Sequence, residues 1–300
     1  MSDAGGADYP ARTMSVAAEE SSGTRPALSR RRELGAASAR SMLLTVLGEF
    51  VLPREEPVWT QVLVDVLGRL GIEQKSARQA LARTAAEGLL TSDRAGRRVR
   101  WSLSAAGRRL LTDGAARIYG FGTPGPEWDG RWLVLLVSVP ESRRQLRHRL
   151  RTRLAWAGMG SPSAGVWISP DPGKQDEVAE VVRDLGLDEV TSSFVGPFGA
   201  IGEQAAMVAQ AWDLAELESA YEEFIADFGD DGPADPDAIM VRQIQLVHAW
   251  RRFPFLDPKL PGELLPRAWA GARAAELFES LHSRWDGPAT RHWQQLSALD

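Results

Sequence analysis

Lys75, Gln79 and Arg83 recur at every fourth residue, with Arg78 beside them. On a helix that spacing puts a row of long hydrogen-bond donors along one face. A row of this kind suits the major groove of duplex DNA, where an Arg engages guanine O6 and N7 with two N–H groups at once. Ser76 lies in the same turn. A second group, Arg97, Arg98 and Arg100, sits at a hairpin tip marked by Ala95-Gly96, where cations meet phosphate oxygens. From Arg69 to Arg109 there are ten Lys and Arg against three acids, in a chain whose net charge is −5. A basic block in an acidic protein points to a polyanion at that block. A charged surface that meets only solvent is the alternative, and the order of the elements decides between them.

Those elements read as a winged helix-turn-helix. Met42, Leu43, Val46, Leu47 and Phe50 recur at helical spacing until Pro53 and Pro57 end the helix. A second amphipathic helix runs from Trp59 to Leu70 and stops at Gly71. The third, Gln74 to Glu87, carries Ala77, Leu81 and Ala85 as a small apolar stripe opposite its donors. Next comes a hairpin: Leu89 to Thr91, a turn, then a return strand with Val99, Trp101 and Leu103 on one face and Arg98, Arg100 and Ser102 on the other. Ser104 caps a further helix that reaches Tyr119. The expected DNA contacts are therefore Lys75, Ser76, Arg78, Gln79, Arg83, Arg97, Arg98 and Arg100.

The rest of the chain divides around this unit. Residues 1–36 are rich in Ala, Gly, Ser and Glu without apolar periodicity and read as a disordered tail. Residues 37–119 form the DNA-binding unit. Residues 120–201 alternate strand and helix: Arg131 to Val139, a very basic helix from Ser142 to Gly158, Gly165 to Ser169, Gln175 to Leu185, and Glu189 to Val195. This pattern fits a small ferredoxin-like α+β sandwich. Residues 202–300 read as helical, with segments Glu203 to Phe228, Pro236 to Arg252 and Leu264 to Trp285. The fold class is α+β and multidomain. The basic helix carries Arg143, Arg144, Arg147, Arg149, Arg151 and Arg153 beside His148; DNA backbone, a bound phosphate, a subunit contact and a merely solvated face all remain open for it.

Several chemistries are excluded or disfavoured. With no cysteine, disulfides, thiolate zinc sites and cysteine nucleophiles drop out. His148, His248, His282 and His292 form no metal-type pair with carboxylates at helical spacing. No metal, cofactor or catalytic residue is expected. The longest apolar run, Trp132 to Pro140, is too short to span a bilayer. Ser29-Arg30-Arg31-Arg32 only faintly resembles a twin-arginine signal, because Arg40 and Glu49 interrupt the apolar stretch behind it. A cytoplasmic protein is the expectation.

With these residues in view, the chain resembles the PaaX family of phenylacetate-degradation repressors from Ala39 to Trp285. The matching residues are Ala77-Arg78, Ala80-Leu81 and Arg83 on the third helix, Gly96-Arg97-Arg98 and Ser102-Leu103-Ser104 in the wing, and Gly107 after it. They continue with Tyr119 and Trp128-Asp129-Gly130-Arg131-Trp132. The C-terminal blocks are the most specific: His248, Arg251-Arg252, Asp257-Pro258, Leu260-Pro261, Glu263-Leu264-Leu265-Pro266, Trp269 and Gly271. The resemblance implies a homodimeric repressor released from double-stranded operator DNA by an acyl-CoA effector, typically phenylacetyl-CoA. Such a ligand needs Arg donors and aromatic walls, for which Arg131, Trp132, His248, Trp250, Arg251, Arg252 and Trp269 are the candidates. The middle block also resembles the ferredoxin-like endoribonucleases of CRISPR systems, which place an Asp at the end of the first strand. Ser138 stands there instead and cannot hold a divalent cation as a carboxylate does. Two other readings stay open beside the ligand-responsive repressor: a nuclease of ferredoxin-like fold, and a DNA-binding scaffold with no effector.

Overall fold

The computed structural model describes residues 38–122, 127–230 and 232–299. The expected N-terminal tail, and part of the linker from Gly120 to Gly130, lie outside them.

The N-terminal part packs three helices on a three-stranded sheet. Helix α1 (Ala39–Val46) starts at Ser38, whose side chain accepts the Ser41 amide, and runs into a π-helical turn over Leu47–Val51. Helix α2 (Thr60–Arg69) comes after a two-residue strand, β1 (Val58–Trp59), whose Trp59 the apolar pattern assigns to the helix. Helix α3 spans Gln74–Ala86. Gly88 ends it at a φ of +75°, conformational territory that a Cβ resists, and Leu89 N then bonds back to Thr84 O at 3.1 Å. The hairpin is longer than expected: β2 (Leu90–Ala95) pairs along its whole length with β3 (Arg98–Leu103), and β1 joins the other edge of β3. Helix α4 (Ala105–Tyr119) begins at the expected cap, Ser104 Oγ accepting Gly107 N at 3.0 Å. Gly107 is needed there, since a Cβ would fall 2.1 Å from Leu89 O.

The middle part runs β4 (Arg131–Val137), α5 (Arg144–Trp156), β5 (Gly160–Ser163), β6 (Val166–Ser169), α6 (Gln175–Asp184) and β7 (Thr191–Pro197). The sheet order is β5-β6-β4-β7, with every neighbouring pair antiparallel. Strand β5 escaped the sequence pattern because it is short and polar and contains Pro162; an edge strand tolerates the missing N–H. The unbroken apolar run of β4 meets two apolar clusters. Leu133, Leu135 and Val137 face α5 and α6 through Leu150, Leu154, Val178 and Val182. Trp132 faces the other way, into a cluster with Ile168, Val208, Leu260 and Leu264. Only the Trp132 end of the strand is buried on both faces, since Val134 is half-buried and Leu136 exposed on the second one.

The C-terminal part is helical: α7 (Gln204–Ala211), α8 (Leu214–Phe228), α9 (Pro236–Trp250), the short α10 (Phe253–Leu256) and α11 (Ala270–Leu299). The single helix expected over 203–228 is two. Trp212 is extended, and Asp213 caps the second helix by accepting Glu216 N at 3.2 Å. The last helix starts later than expected and continues through Pro288 to Leu299. One hydrophobic cluster joins α1, α2 and α3 to α8, α9 and α11, with Phe50 stacked on Trp293 at 5.0 Å and Trp250 on Phe278 at 4.7 Å. The first and last parts of the chain therefore share one core. Among the described residues no helix is long and apolar enough to cross a membrane.

Candidate nucleic-acid interface and ligand cavity

Helix α3 separates its residues sharply. Ala77, Ala80, Leu81 and Thr84 are buried against α1 and α2, while Lys75, Arg78, Gln79 and Arg83 are exposed and Ser76 is half-buried. Short Ala side chains let the helix lie close to its neighbours and leave the long donors on the outer face. None of the side chains of Lys75, Arg78 and Arg83 makes an ion pair or hydrogen bond among the described residues. Their charge is uncompensated at the surface.

The hairpin treats its three arginines differently. Antiparallel register places Trp59 opposite Arg100 on one side and Asp93 opposite it on the other, so all three share one face of the sheet. Arg100 donates to Asp93 through Nε at 2.9 Å and Nη2 at 2.6 Å. The guanidinium carbons of Arg98 and Arg100 stand 5.6 and 6.0 Å from the Trp59 ring centroid. Arg97, in the turn, is exposed and has no partner among the described residues. Sequence reasoning missed Arg94, equally exposed on β2, and Trp59, which periodicity alone places on a helix. The inner face is anchored by Trp101, whose indole N–H donates to Thr60 Oγ1 at 2.9 Å while that hydroxyl donates to Val99 O at 2.9 Å.

The seven effector candidates do not converge. Arg131 is exposed at the start of β4, and Trp132 is buried edge-on to Trp128 at 5.5 Å. The others surround the end of α9, where successive residues point about 100° apart and reach different neighbours. His248 Nδ1 lies 3.1 Å from Thr45 Oγ1, and Arg251 Nη1 donates to Ser41 O at 2.9 Å and Thr45 Oγ1 at 3.1 Å, both on α1. Trp250 donates to Ile118 O on α4 at 3.3 Å, and Arg252 to Ala220 O on α8 at 3.4 Å. Trp269 packs edge-on to Tyr221 at 5.9 Å. Burial, and then the neighbouring Arg251 charge, push the His248 pKa down to about 4, so its ring is neutral.

A further joint was invisible in the sequence. Glu49 sits in the π-helical turn with a side chain only 4% exposed. It accepts from Gln243 Nε2 at 3.0 Å and from Tyr119, and lies 3.1 Å from His282 Nε2. Burial alone would lower the His282 pKa, but the Glu49 hydrogen bond and charge raise it above the ordinary value. This buried carboxylate ties α1 to α4, α9 and α11.

The large cavity lies elsewhere. It measures about 1420 Å³ and is walled by the end of α4, α5, α6, α8 and residues 252–259. Arg252 is the one effector candidate in its lining; Arg117, Arg151, Trp156, Lys174 and Phe255 are others. Burial holds the Lys174 pKa below the ordinary lysine value, and its ammonium donates to Ala157 O at 2.8 Å. Asp257, its pKa raised by burial, accepts from Tyr221 at 2.7 Å. Among the described residues no group of three His, Asp or Glu is placed to hold a metal ion. Ser138 comes just after the end of β4, its amide bonded to Val190 O at 3.0 Å.

Comparison with known proteins covers almost all of the described chain. Residues 38–107 match the PaaX-like protein family, residues 125–208 the PaaX protein central Cas2-like domain, and residues 212–295 the PaaX-like protein C-terminal domain. The transcriptional repressor PaaX of Escherichia coli strain K12 is 31% identical over 258 residues, 82% of this chain and 80% of the relative. That relative is a regulator, not an enzyme. An uncharacterized protein from Mycobacterium tuberculosis shares the fold, with a TM-score of 0.61 at 22% identity, covering 86% of this chain and 99% of that one. Three domain matches in one order between residues 38 and 295, and this identity along the length, leave one assignment: the chain belongs to the PaaX family.

Proposed function

We propose that this protein is a sequence-specific DNA-binding regulator of transcription, a repressor that works in the cytoplasm. Residues 37–119 serve as a winged helix-turn-helix, residues 120–201 as a ferredoxin-like domain and residues 202–300 as a helical domain. The observation that carries the reading is the outer face of α3, where Lys75, Arg78, Gln79 and Arg83 are exposed and the cations have no partner among the described residues, beside the basic hairpin. Uncompensated cations at that density repel one another until a polyanion arrives. In this reading α3 enters the major groove, Arg78 and Arg83 read bases, Lys75 and Ser76 touch the backbone, and the hairpin lies along the phosphates. One such helix spans few base pairs, so the protein acts as a homodimer on a palindromic operator. An acyl-CoA such as phenylacetyl-CoA serves as effector and favours the form that cannot hold DNA; equal affinity for both forms would shift nothing. The relative's repressor function supports this assignment over a nuclease.

The test is operator binding. Genomic fragments retained by the protein give the operator, and gel shifts then compare the wild type with an Arg78→Ala, Arg83→Ala double variant. Each base-reading Arg is expected to contribute about 1–3 kcal/mol, and its loss to relax specificity. A double variant that binds the operator as the wild type does would sink the assignment.

A further inference from the structure

The cavity has a chemical character of its own. Five of its cations, Arg117, Arg151, Lys174, Arg252 and Lys259, make no ion pair among the described residues. Three of the carboxylates in its lining are engaged within the protein: Asp257 accepts from Tyr221 and the Lys259 amide, Asp171 from Gly173 N, and Asp213 from Glu216 N. Glu177, Glu180 and Glu223 are solvent-exposed, and Glu216 lines the wall beside them. The cavity therefore holds both signs of charge, and the donors of Arg117 and Arg151 remain for the anionic groups of a ligand. Between those donors stands an aromatic ladder. Trp156 is 58% exposed although Trp132, Trp167, Trp250, Trp285 and Trp293 are buried, and it meets Phe255 edge-on at 6.1 Å. On Phe255 lies Arg117, its guanidinium carbon 5.1 Å from the ring centroid. An exposed indole beside unpaired guanidinium groups, in a cavity of about 1420 Å³, has room for a ligand with both an apolar or planar part and an anionic part.

We propose that this cavity, and not the set of residues around the end of α9, binds the effector, and that the ligand is an amphipathic anion. Its planar or apolar portion lies on Trp156 and Phe255, and its anionic groups meet Arg117 and Arg151. The location also supplies a mechanism of release, which rests on the reading of the protein as a ligand-responsive regulator. Arg117 belongs to α4, the helix that begins at Ser104 directly after the hairpin strand β3 and ends at Tyr119 on Glu49. Trp156 belongs to α5 of the middle part. A ligand held by both couples α4 to α5, and through α4 it reaches the hairpin and α1 together. By reciprocity operator DNA weakens the ligand by the factor with which the ligand weakens DNA.

The experiment is calorimetric titration of the full-length protein with phenylacetyl-CoA, free coenzyme A and phenylacetate as three separate probes, repeated on Trp156→Ala and Arg117→Gln. Both side chains are exposed, so the variants are expected to melt as the wild type does. Either change is expected to weaken the thioester at least tenfold and to leave Trp156→Ala with wild-type operator affinity when no probe is present. Free coenzyme A binding as tightly as the thioester would assign recognition to the anionic part, phenylacetate binding as tightly to the apolar part with its carboxylate, and either result upholds the site if the variants lose it. Wild-type affinity in both variants overturns the location while the regulator reading stands. No binding of any probe to the wild type removes the effector reading and the site with it.

Discussion

Two groups of arginines look alike in the sequence, and the structure treats them as opposites. Arg78, Arg83 and Arg97 stand on the surface with no partner among the described residues. Arg251 and Arg252 follow directly on α9 and give their N–H groups to the protein itself, to Ser41 and Ala220 carbonyls and to Thr45. The first group keeps its hydrogen-bonding capacity for another molecule. The second has used part of it to fasten α9 to α1 and α8. An arginine within a strongly specified sequence block is thus no more a ligand contact than a structural fastener until its acceptors are known.

The comparison breaks most visibly at Arg251. Arg251→Ala removes a charged donor from two acceptors on α1 and is expected to cost about 2–3 kcal/mol of stability. Arg78→Ala, on the outer face of α3, is expected to change stability by less than about 0.5 kcal/mol. Urea unfolding of both variants measures the difference directly. Equal and small losses would mean that Arg251 is no fastener and is free for a ligand after all.

The same contrast explains what could be read in advance. The donors of α3 were legible because the helix period alone separates Lys75, Gln79 and Arg83 from Ala77 and Leu81. The cap at Ser104 and the two faces of the return strand were legible for the same local reasons, whereas the full length of the hairpin was not. The acceptors of Arg251 were not, because Ser41 and Thr45 are more than 200 positions away in the chain and no spacing rule relates them. The Glu49 joint failed likewise: its partners Tyr119, Gln243 and His282 come from three distant helices, and a lone glutamate in an apolar helix looks like a surface residue. The cavity wall was hidden in part. In α5 the sequence draws attention to the arginines, and Trp156 stands off the edge buried through Leu150 and Leu154 with nothing nearby in sequence to give it a use.

Within the hairpin the comparison is sharper and smaller. Arg97 and Arg100 are three residues apart, yet Arg100 is neutralised by Asp93 while Arg97 has no partner among the described residues. Arg97→Ala is expected to weaken binding to every DNA sequence and to flatten the salt dependence by about one unit of slope. Arg100→Ala should do less, and Asp93→Ala should strengthen binding by releasing Arg100. Fluorescence anisotropy on duplex DNA across a series of salt concentrations checks all three. Equal losses for the two arginine variants would show that the Asp93 pair opens on DNA, and the distinction between free and engaged arginines would fail there.

The smallest effects concern two histidines that neighbour the same fastenings and titrate in opposite senses. His282 has a folded pKa above its ordinary value, because the Glu49 hydrogen bond and charge outweigh burial. Its contribution to stability is therefore complete below the ordinary histidine pKa and is lost as pH rises through the raised value. His248 has its pKa depressed to about 4 by burial and by Arg251. Its neutral ring contributes stability above the ordinary value, and that contribution is lost as pH falls from there toward about 4. Unfolding free energies measured from about pH 4 to about pH 9 should thus separate the two variants. His282→Gln should cost more at the acid side of neutrality than at the alkaline side. His248→Gln removes the group that must charge, so the variant should lose less stability on acidification than the wild type does. Parallel pH profiles for the wild type and both variants would show that neither ring is held in the protonation state its neighbours impose, and would remove the electrostatic basis for treating the Glu49 and Arg251 contacts as fixed joints between the first and last parts of the chain.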